Sequence, residues 1–320
     1  RKTIDFIGKR HLFFLASVVV IVAGFVGMGV NKAGGKGAMN YSLEFMGGTS
    51  TTADFGKDYT LAELDSDVEA VVSEVTGDAN IQFQKVEGST QIVIKTRSLD
   101  LDERDELNAA LVEKFNVDEA TITAQNISAT ISGEMTSDAI WAVVIATILM
   151  LIYIWFRFSD IRFATAAIIA LVHDVLVVLT CYSLVRLSVG STFIACMLTI
   201  IGYSINDTIV IFDRIRENIG TRKISEKEEL VEVSNRSISQ TISRSLNTSL
   251  TTFVMVLLLY ILGVASIKEF SLPLMVGVIS GTYSSICIAT AIWFEFKTRF
   301  VKKEAVNQKA ASGKKKKTKI

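Results

Sequence analysis

The stretch Ile201-Gly-Tyr-Ser-Ile-Asn-Asp-Thr-Ile-Val-Ile-Phe212 decides how the chain is read. It is apolar enough to lie in hydrocarbon, yet Asp207 stands inside it among Tyr203, Ser204, Asn206 and Thr208. An acid at the centre of a membrane helix costs roughly 2.5–3.5 kcal/mol on insertion scales, so its presence calls for a function or a partner. Asp207 lies about 9 Å of helix rise from Asp213, where the span meets charge again. Asp213, Arg214, Arg216 and Glu217 read as a solvated helix end.

Outward from this stretch, six segments have the roughly 20 mostly apolar residues that a membrane helix requires. They are 12–30, 138–156, 163–185, 190–212, 246–266 and 271–294. They explain why half of the 320 residues are hydrophobic, and they exclude a pair of ordinary soluble domains. Segment 12–30 has one polar side chain, Ser17, and follows Lys9 and Arg10. Its apolar run exceeds a signal-peptide core and no small-residue cleavage site follows, so it reads as an uncleaved signal anchor. The chain opens on Arg1, so the initiator methionine lies outside this sequence. A single proline, Pro273, excludes proline-rich and collagen-like classes. Cys181, Cys196 and Cys287 lie in apolar stretches without CxxC spacing and read as buried small hydrophobes. With His11 and His173 they match no zinc-site spacing.

The formal net charge is zero, which excludes a uniformly basic nucleic-acid binder. Split by segment, the zero is a cancellation. Segments 1–11, 157–162, 213–245 and 295–320 together hold 23 Lys and Arg against 10 Asp and Glu. Segment 31–136 holds 8 against 19. The positive-inside rule then places both termini in the cytoplasm and 31–136 outside.

The outer segment reads as alternating short elements. Leu43–Phe55 is expected as a strand kinked at Gly47-Gly48. Thr60-Leu-Ala-Glu63 is a capping-box pattern opening a helix along Leu61, Leu64, Val68, Val71, Val72 and Val75. Ile81 and Phe83 mark a strand, Glu87-Gly88-Ser89 a turn, and Gln91–Lys95 a second strand. Asp100-Leu-Asp-Glu103 caps a helix with Leu107, Ala110, Leu111 and Phe115 on its core face. Thr121–Ile131 is expected as the closing strand. The order β-α-β-β-α-β is the ferredoxin-like arrangement. The fold class is thus an α-helical multi-pass membrane protein: six spans, with one exported α+β domain between the first two. Without His, Cys or a Ser/His/Asp constellation, that domain suits contact with a polypeptide or partner better than catalysis.

Two further charges bear on the membrane. Asp174 lies midway along 163–185, in Leu171-Val-His-Asp174. Arg244 precedes Ser245-Leu-Asn-Thr-Ser-Leu-Thr-Thr252 at the entrance of the fifth span. One reading is a charge relay, in which an acid takes and releases a proton while an arginine tunes it. On the other, Asp174 is a structural hydrogen bonder with His173, and Arg244 snorkels to the interface. Gly277-x-x-x-Gly281 would admit a close helix neighbour. Residues 225–244 form either an amphipathic helix along the membrane, with Val231, Ser234, Ile238 and Ile242 on one face, or a cytoplasmic linker helix. No phosphate-binding loop, HExxH or dinucleotide fingerprint occurs, so no cofactor and no enzyme activity are expected. Work would draw on an ion gradient or a partner.

Ile200-Ile-Gly-Tyr-Ser-Ile-Asn-Asp-Thr-Ile-Val-Ile-Phe-Asp-Arg-Ile-Arg-Glu-Asn218 resembles the most distinctive segment of the SecF family of protein-export membrane subunits, within the SecD/SecF group of the RND superfamily. Glu44, Phe45, Gly47, Gly48 and Thr49, within Tyr41-Ser-Leu-Glu-Phe-Met-Gly-Gly-Thr49, resemble that family's DFxGGT motif, with Glu44 where aspartate is more usual. Leu171-Val-His-Asp174 and Gln240-Thr-Ile-Ser-Arg-Ser-Leu-Asn-Thr-Ser249 also match. The resemblance runs in order along nearly the whole chain. It implies a complex with SecD, association with the SecYEG channel and YajC, and late-stage export of polypeptide across a bacterial cytoplasmic membrane driven by proton-motive force. It implies that Asp207 is the protonation site, Arg244 its positive partner and Asp174 a further member, while family members differ in using protons or sodium. Lys314–Lys317 lie outside the motifs and read as an anionic-lipid or ribosome-proximal contact. A small-molecule efflux transporter of the same superfamily and a passive membrane scaffold are the alternatives. Efflux pumps usually carry two six-helix halves on one chain, and intramembrane acids do not suit a scaffold.

Overall fold

The structure is a computed structural model. It describes residues 4–34, 37–60, 63–78, 81–86, 89–158, 160–221, 224 and 226–299. The expected helix start at Leu61, the Glu87-Gly88 turn, Ser225 and the basic tail beyond 299 lie outside the described residues.

Helix α1 (Arg10–Ala33) is the first membrane-length helix. A connector made of β1 (Asn40–Tyr41) and the one-turn helix α2 (Leu43–Met46) then leads into a small α/β domain that opens with β2 (Gly48–Asp54). A π turn (Leu64–Val68) leads into α3 (Glu69–Thr76). β3 (Gln82–Lys85), β4 (Gln91–Thr96), α4 (Leu101–Phe115), a 3-10 turn (Glu119–Thr121) and β5 (Thr123–Ile127) follow. The sheet order is β3-β4-β2-β5 with every pair antiparallel. This is the expected ferredoxin-like topology, with β2 central and the two helical segments on one face. Ala53, Leu64, Val68, Val72, Ile92, Ile94, Leu107 and Leu111 form its core. Both capping boxes form. Asp100 Oδ1 accepts the Glu103 N–H at 2.9 Å while Glu103 Oε2 accepts that of Asp100. Thr60 and Glu63 make the same reciprocal pair.

Two strand expectations are corrected. Leu43–Met46 is a helical turn and the strand begins only at Gly48. The break falls at Gly47 (φ +69°) and Gly48 (φ +111°), conformations that side chains resist. The closing strand ends at Ile127, because Ser128 Oγ accepts the Ile131 N–H and starts a helix.

That helix is α5 (Ala129–Arg157), which therefore runs through polar turns before the apolar stretch at 138. After it come α6 (Ile161–Val185), β6 (Ser188–Val189), α7 (Ser191–Ile219), α8 (Lys227–Leu262) and α9 (Ala265–Tyr283). A π turn (Ser284–Ala289) continues α9 toward Arg299. Together with α1, six helices among the described residues are long and apolar enough to cross a membrane. Residues 225–244 are not an independent surface helix. From Lys227 they are the first half of the continuous 36-residue α8, with Leu230, Val233, Ser234 and Ile238 buried against the bundle. The change from polar to apolar composition does not interrupt its hydrogen bonding.

Helices α1 and α6 approach closely at Gly24, where a Cβ would collide with Thr180, and Gly27, where it would lie 3.1 Å from Ser183 Oγ. Away from the α/β domain, α1 is clasped by α8. Asn235 Oδ1 accepts the N–H groups of Phe6 (3.0 Å) and Ile7 (3.1 Å), and its Nδ2 donates to Asp5. Arg10 Nε donates to Glu295 at 2.7 Å.

The α/β domain meets the bundle at Lys95. Its Nζ is buried and donates to Asn40 Oδ1 (3.2 Å) and Tyr41 O (3.3 Å). Burial pushes this amine down to about 8, with Arg186 adding repulsion and Glu269 opposing it. Between pH 8 and 10.5 the unfolded chain holds a proton that the folded chain has released. Stability contributed at this site therefore rises with pH through that window, by about 3 kcal/mol at most. Thermal melts of the detergent-solubilised chain should show this rise, and Lys95→Met should lack it. Equal slopes for the two proteins would contradict the assignment.

Candidate functional site

Two aspartates lie inside the bundle, in different surroundings. Asp174, on α6, is fully buried. Oδ1 accepts from Ser280 Oγ (2.7 Å) and His173 Nδ1 (3.1 Å). Oδ2 accepts from Ser204 Oγ (2.6 Å) and Ser284 Oγ (2.7 Å). Four donors from α6, α7 and α9 with its π turn thus converge on one carboxylate, about what two carboxylate oxygens can accept. His173 Nε2 in turn lies at hydrogen-bond distance, 2.9 Å, from Ser17 Oγ of α1. The arrangement ties four helical elements together.

Small residues make this convergence geometrically possible. At Gly277 a Cβ would collide with the Ile200 side chain, and at Gly281 it would stand 3.1 Å from Ser204 Cβ. The Gly277-x-x-x-Gly281 stripe therefore lets α9 lie against α7. That approach brings Ser280 and Ser284, one helical turn apart, to Asp174. The π turn begins at Ser284, and π turns recur at functional sites.

Asp207, on α7, is also buried, but its Oδ2 has no hydrogen-bond partner among the described residues. The Oγ of Ser245, on α8, is likewise buried without a partner at full hydrogen-bond geometry. Ser245 and Arg244 are the neighbours that act on the Asp207 carboxyl, the first through its hydroxyl and the second through its charge. Arg244 itself is exposed on the outer face of α8 and makes no ion pair among the described residues. Around Asp207, Thr208 Oγ1 and Ser285 Oγ lie 2.8 Å apart, and Tyr203 donates to Ser249 Oγ at 2.9 Å. Ser249 also bonds Thr282.

The structure thus gathers Asp207, Tyr203, Ser204 and Thr208 on the α7 surface facing α8 and α9. Asn206 points the other way and is exposed. Arg244, Asn247, Thr248 and Thr251 of α8 are exposed as well, polar residues on membrane-length helices. Sequence reasoning missed Ser245, Ser249, Ser280 and Ser284 as partners. The available signal was spacing: Ser280 and Ser284, and Ser245 and Ser249, are each four residues apart within apolar helices.

The motif after α1 lies at the other end of α7. Glu44 Oε2 accepts the Ser191 N–H at 2.6 Å. Thr49 Oγ1 accepts the Leu99 N–H at 2.9 Å, and Phe45 packs against the apolar cluster that includes Met39, Tyr182 and Val189. The described residues include no group of three or more His, Cys, Asp or Glu arranged to hold a metal ion.

Comparison with known proteins gives a consistent result. The family model described as "Protein export membrane protein SecD/SecF, C-terminal" matches residues 107–299. A protein translocase subunit SecF of Petrotoga mobilis is 37% identical over 295 residues, covering 90% of this chain and 94% of that one. The protein translocase subunit SecDF of Bacillus subtilis is 36% identical over 311 residues, 94% of this chain and 39% of its own length. The crystal structure of SecDF from Thermus thermophilus, a translocon-associated membrane protein, superposes with a TM-score of 0.74 at 33% identity, covering 93% of this chain and 39% of that one.

Proposed function

Because the chain belongs to the SecD/SecF family of protein-export membrane proteins, we propose that it works as the SecF-type accessory subunit of the Sec protein translocase. Its partner is a SecD subunit, the part that the longer SecDF chains carry in addition. The exposed polar side chains of Asn206, Arg244 and Asn247 support this, because such groups at membrane depth need a neighbouring helix bundle or a water-filled cavity. The positive-inside pattern supports an orientation with both termini in the cytoplasm and the α/β domain on the export side. SecYEG and YajC are the further partners, and the setting is the cytoplasmic membrane.

Energy comes from the proton gradient. One observation carries this: Asp207 is buried at mid-helix with an unpartnered carboxylate oxygen, beside Ser245 and within reach of the Arg244 charge. Such a carboxyl gains and loses a proton without dismantling a hydrogen-bond network. Asp174 is the opposite case, and its role is to hold the helices together. The chain carries no phosphate-binding loop that would supply ATP hydrolysis.

Inverted vesicles carrying the chain with SecD and the Sec channel test the coupling. A protonophore should remove the gradient-dependent part of preprotein translocation, and a sodium ionophore should leave it. The reverse pattern would assign sodium to Asp207. Indifference to both would overturn gradient coupling and favour a scaffold.

A further inference from the structure

The α/β domain and the helix bearing Asp207 meet at one short piece of chain. Helix α7 begins at Ser191, and the residue before it, Gly190, has no side chain with which to cap the exposed N–H groups of the first turn. The cap is supplied from residues far earlier in sequence. Glu44 Oε2 accepts the Ser191 N–H at 2.6 Å, an anion placed at the positive end of the helix dipole. A Cβ on residue 190 would collide with Ser42 Oγ and lie 2.8 Å from Glu44 Oε2, so glycine is what lets the carboxylate reach.

The connector holding Glu44 is fixed on both sides. Toward the bundle, β1 pairs in parallel with β6, Ser42 N–H donates to Val189 O at 2.9 Å, and Asn40 Nδ2 donates to Arg186 O at 2.9 Å. Toward the domain, Lys95 of β4 holds Asn40 and Tyr41. The connector then runs directly into β2, one of the two inner strands, paired on both of its edges. At the entry, a Cβ on Gly48 would collide with Thr96 O, so the backbone is pressed against β4. A tilt of the sheet therefore moves Glu44, and Glu44 holds the first turn of α7. From Ser191 a stiff helix runs about 24 Å to Asp207.

We propose that Glu44 is the positioning residue that couples the orientation of the α/β domain to helix α7, and so to the state of Asp207. The proposal rests on Asp207 being the protonation site. Through this cap, a change of charge at Asp207 that rotates or slides α7 also moves inner strand β2 of the sheet, and a load on the sheet acts back on α7.

The test uses the chain with SecD in bilayer discs, with native cysteines replaced by alanine and spin labels at Gln125 on β5 and Val264 before α9. Asp207→Asn, which mimics the protonated acid, is expected to shift the label-to-label distance distribution. Glu44→Ala should remove that shift, and Glu44→Gln, which keeps an acceptor oxygen, should retain most of it. Gly190→Ala, whose Cβ displaces Glu44 without removing it, should also remove the shift and guards against a simple folding defect in Glu44→Ala. A shift that survives in either assembled variant overturns the coupling alone. No shift on Asp207→Asn with Glu44 intact overturns the protonation reading, and this proposal with it.

Discussion

Asp207→Asn is expected to reduce gradient-driven export to the level seen without a gradient, while the chain still inserts and assembles with SecD. The two halves of this expectation have separate causes. Asparagine has nearly the same shape and cannot carry the proton, so any relay through this position stops. Assembly survives because Oδ2 of Asp207 has no partner at full hydrogen-bond geometry among the described residues, and asparagine keeps a carbonyl oxygen for the nearby Ser245 hydroxyl. Removing the charge from hydrocarbon also lowers the insertion cost, by roughly 2–3 kcal/mol at most. The measurement is translocation in inverted vesicles, scored beside SecD co-purification. Full gradient-dependent export by the variant would sink the assignment.

Asp174→Ala is expected to fail in the opposite way, with loss of the folded, assembled chain. The substitution leaves hydroxyls of Ser204, Ser280 and Ser284 and the Nδ1–H of His173 facing a void. Each buried donor without an acceptor costs about 1–3 kcal/mol. Part of this is recoverable, since helical serines can turn back to the preceding turn, as Ser284 already does toward Gly281 O at 3.1 Å. A net loss on the order of 3–5 kcal/mol remains, a large fraction of the stability of a typical domain. Thermal stability in detergent and recovery of the SecD complex are the readouts. A variant that assembles with unchanged stability but exports nothing would move Asp174 into the relay.

The pair of predictions also shows where sequence reading stopped. The six spans were legible because hydrocarbon demands about 20 apolar residues in a row, and that demand is visible without coordinates. The ferredoxin-like order was legible from alternating patterns and two capping boxes. Asp174 and Asp207 were equally visible, but their difference was not. It depends on serines from α7 and from α9 with its π turn reaching one carboxylate and leaving the other, which follows from helix rotation and from the close approach at Gly277 and Gly281. Similarly, Leu43–Met46 alternates like the start of a strand, and only the backbone at Gly47 and Gly48 makes it a turn. That turn places Glu44 against α7, a contact between residues 147 apart that local periodicity does not encode.

The clasp of Phe6 and Ile7 by Asn235 has a consequence for biosynthesis. The amides of Phe6 and Ile7 wait for an acceptor made 228 or 229 residues later, and Arg10 waits for Glu295, 285 residues on. Helix α1 gains its first membrane neighbour, α6, when the ribosome passes the third span, but its lead-in is not secured until the fifth and sixth have emerged. A nascent chain interrupted before that point lacks the partners that fasten Phe6, Ile7 and Arg10 to the bundle.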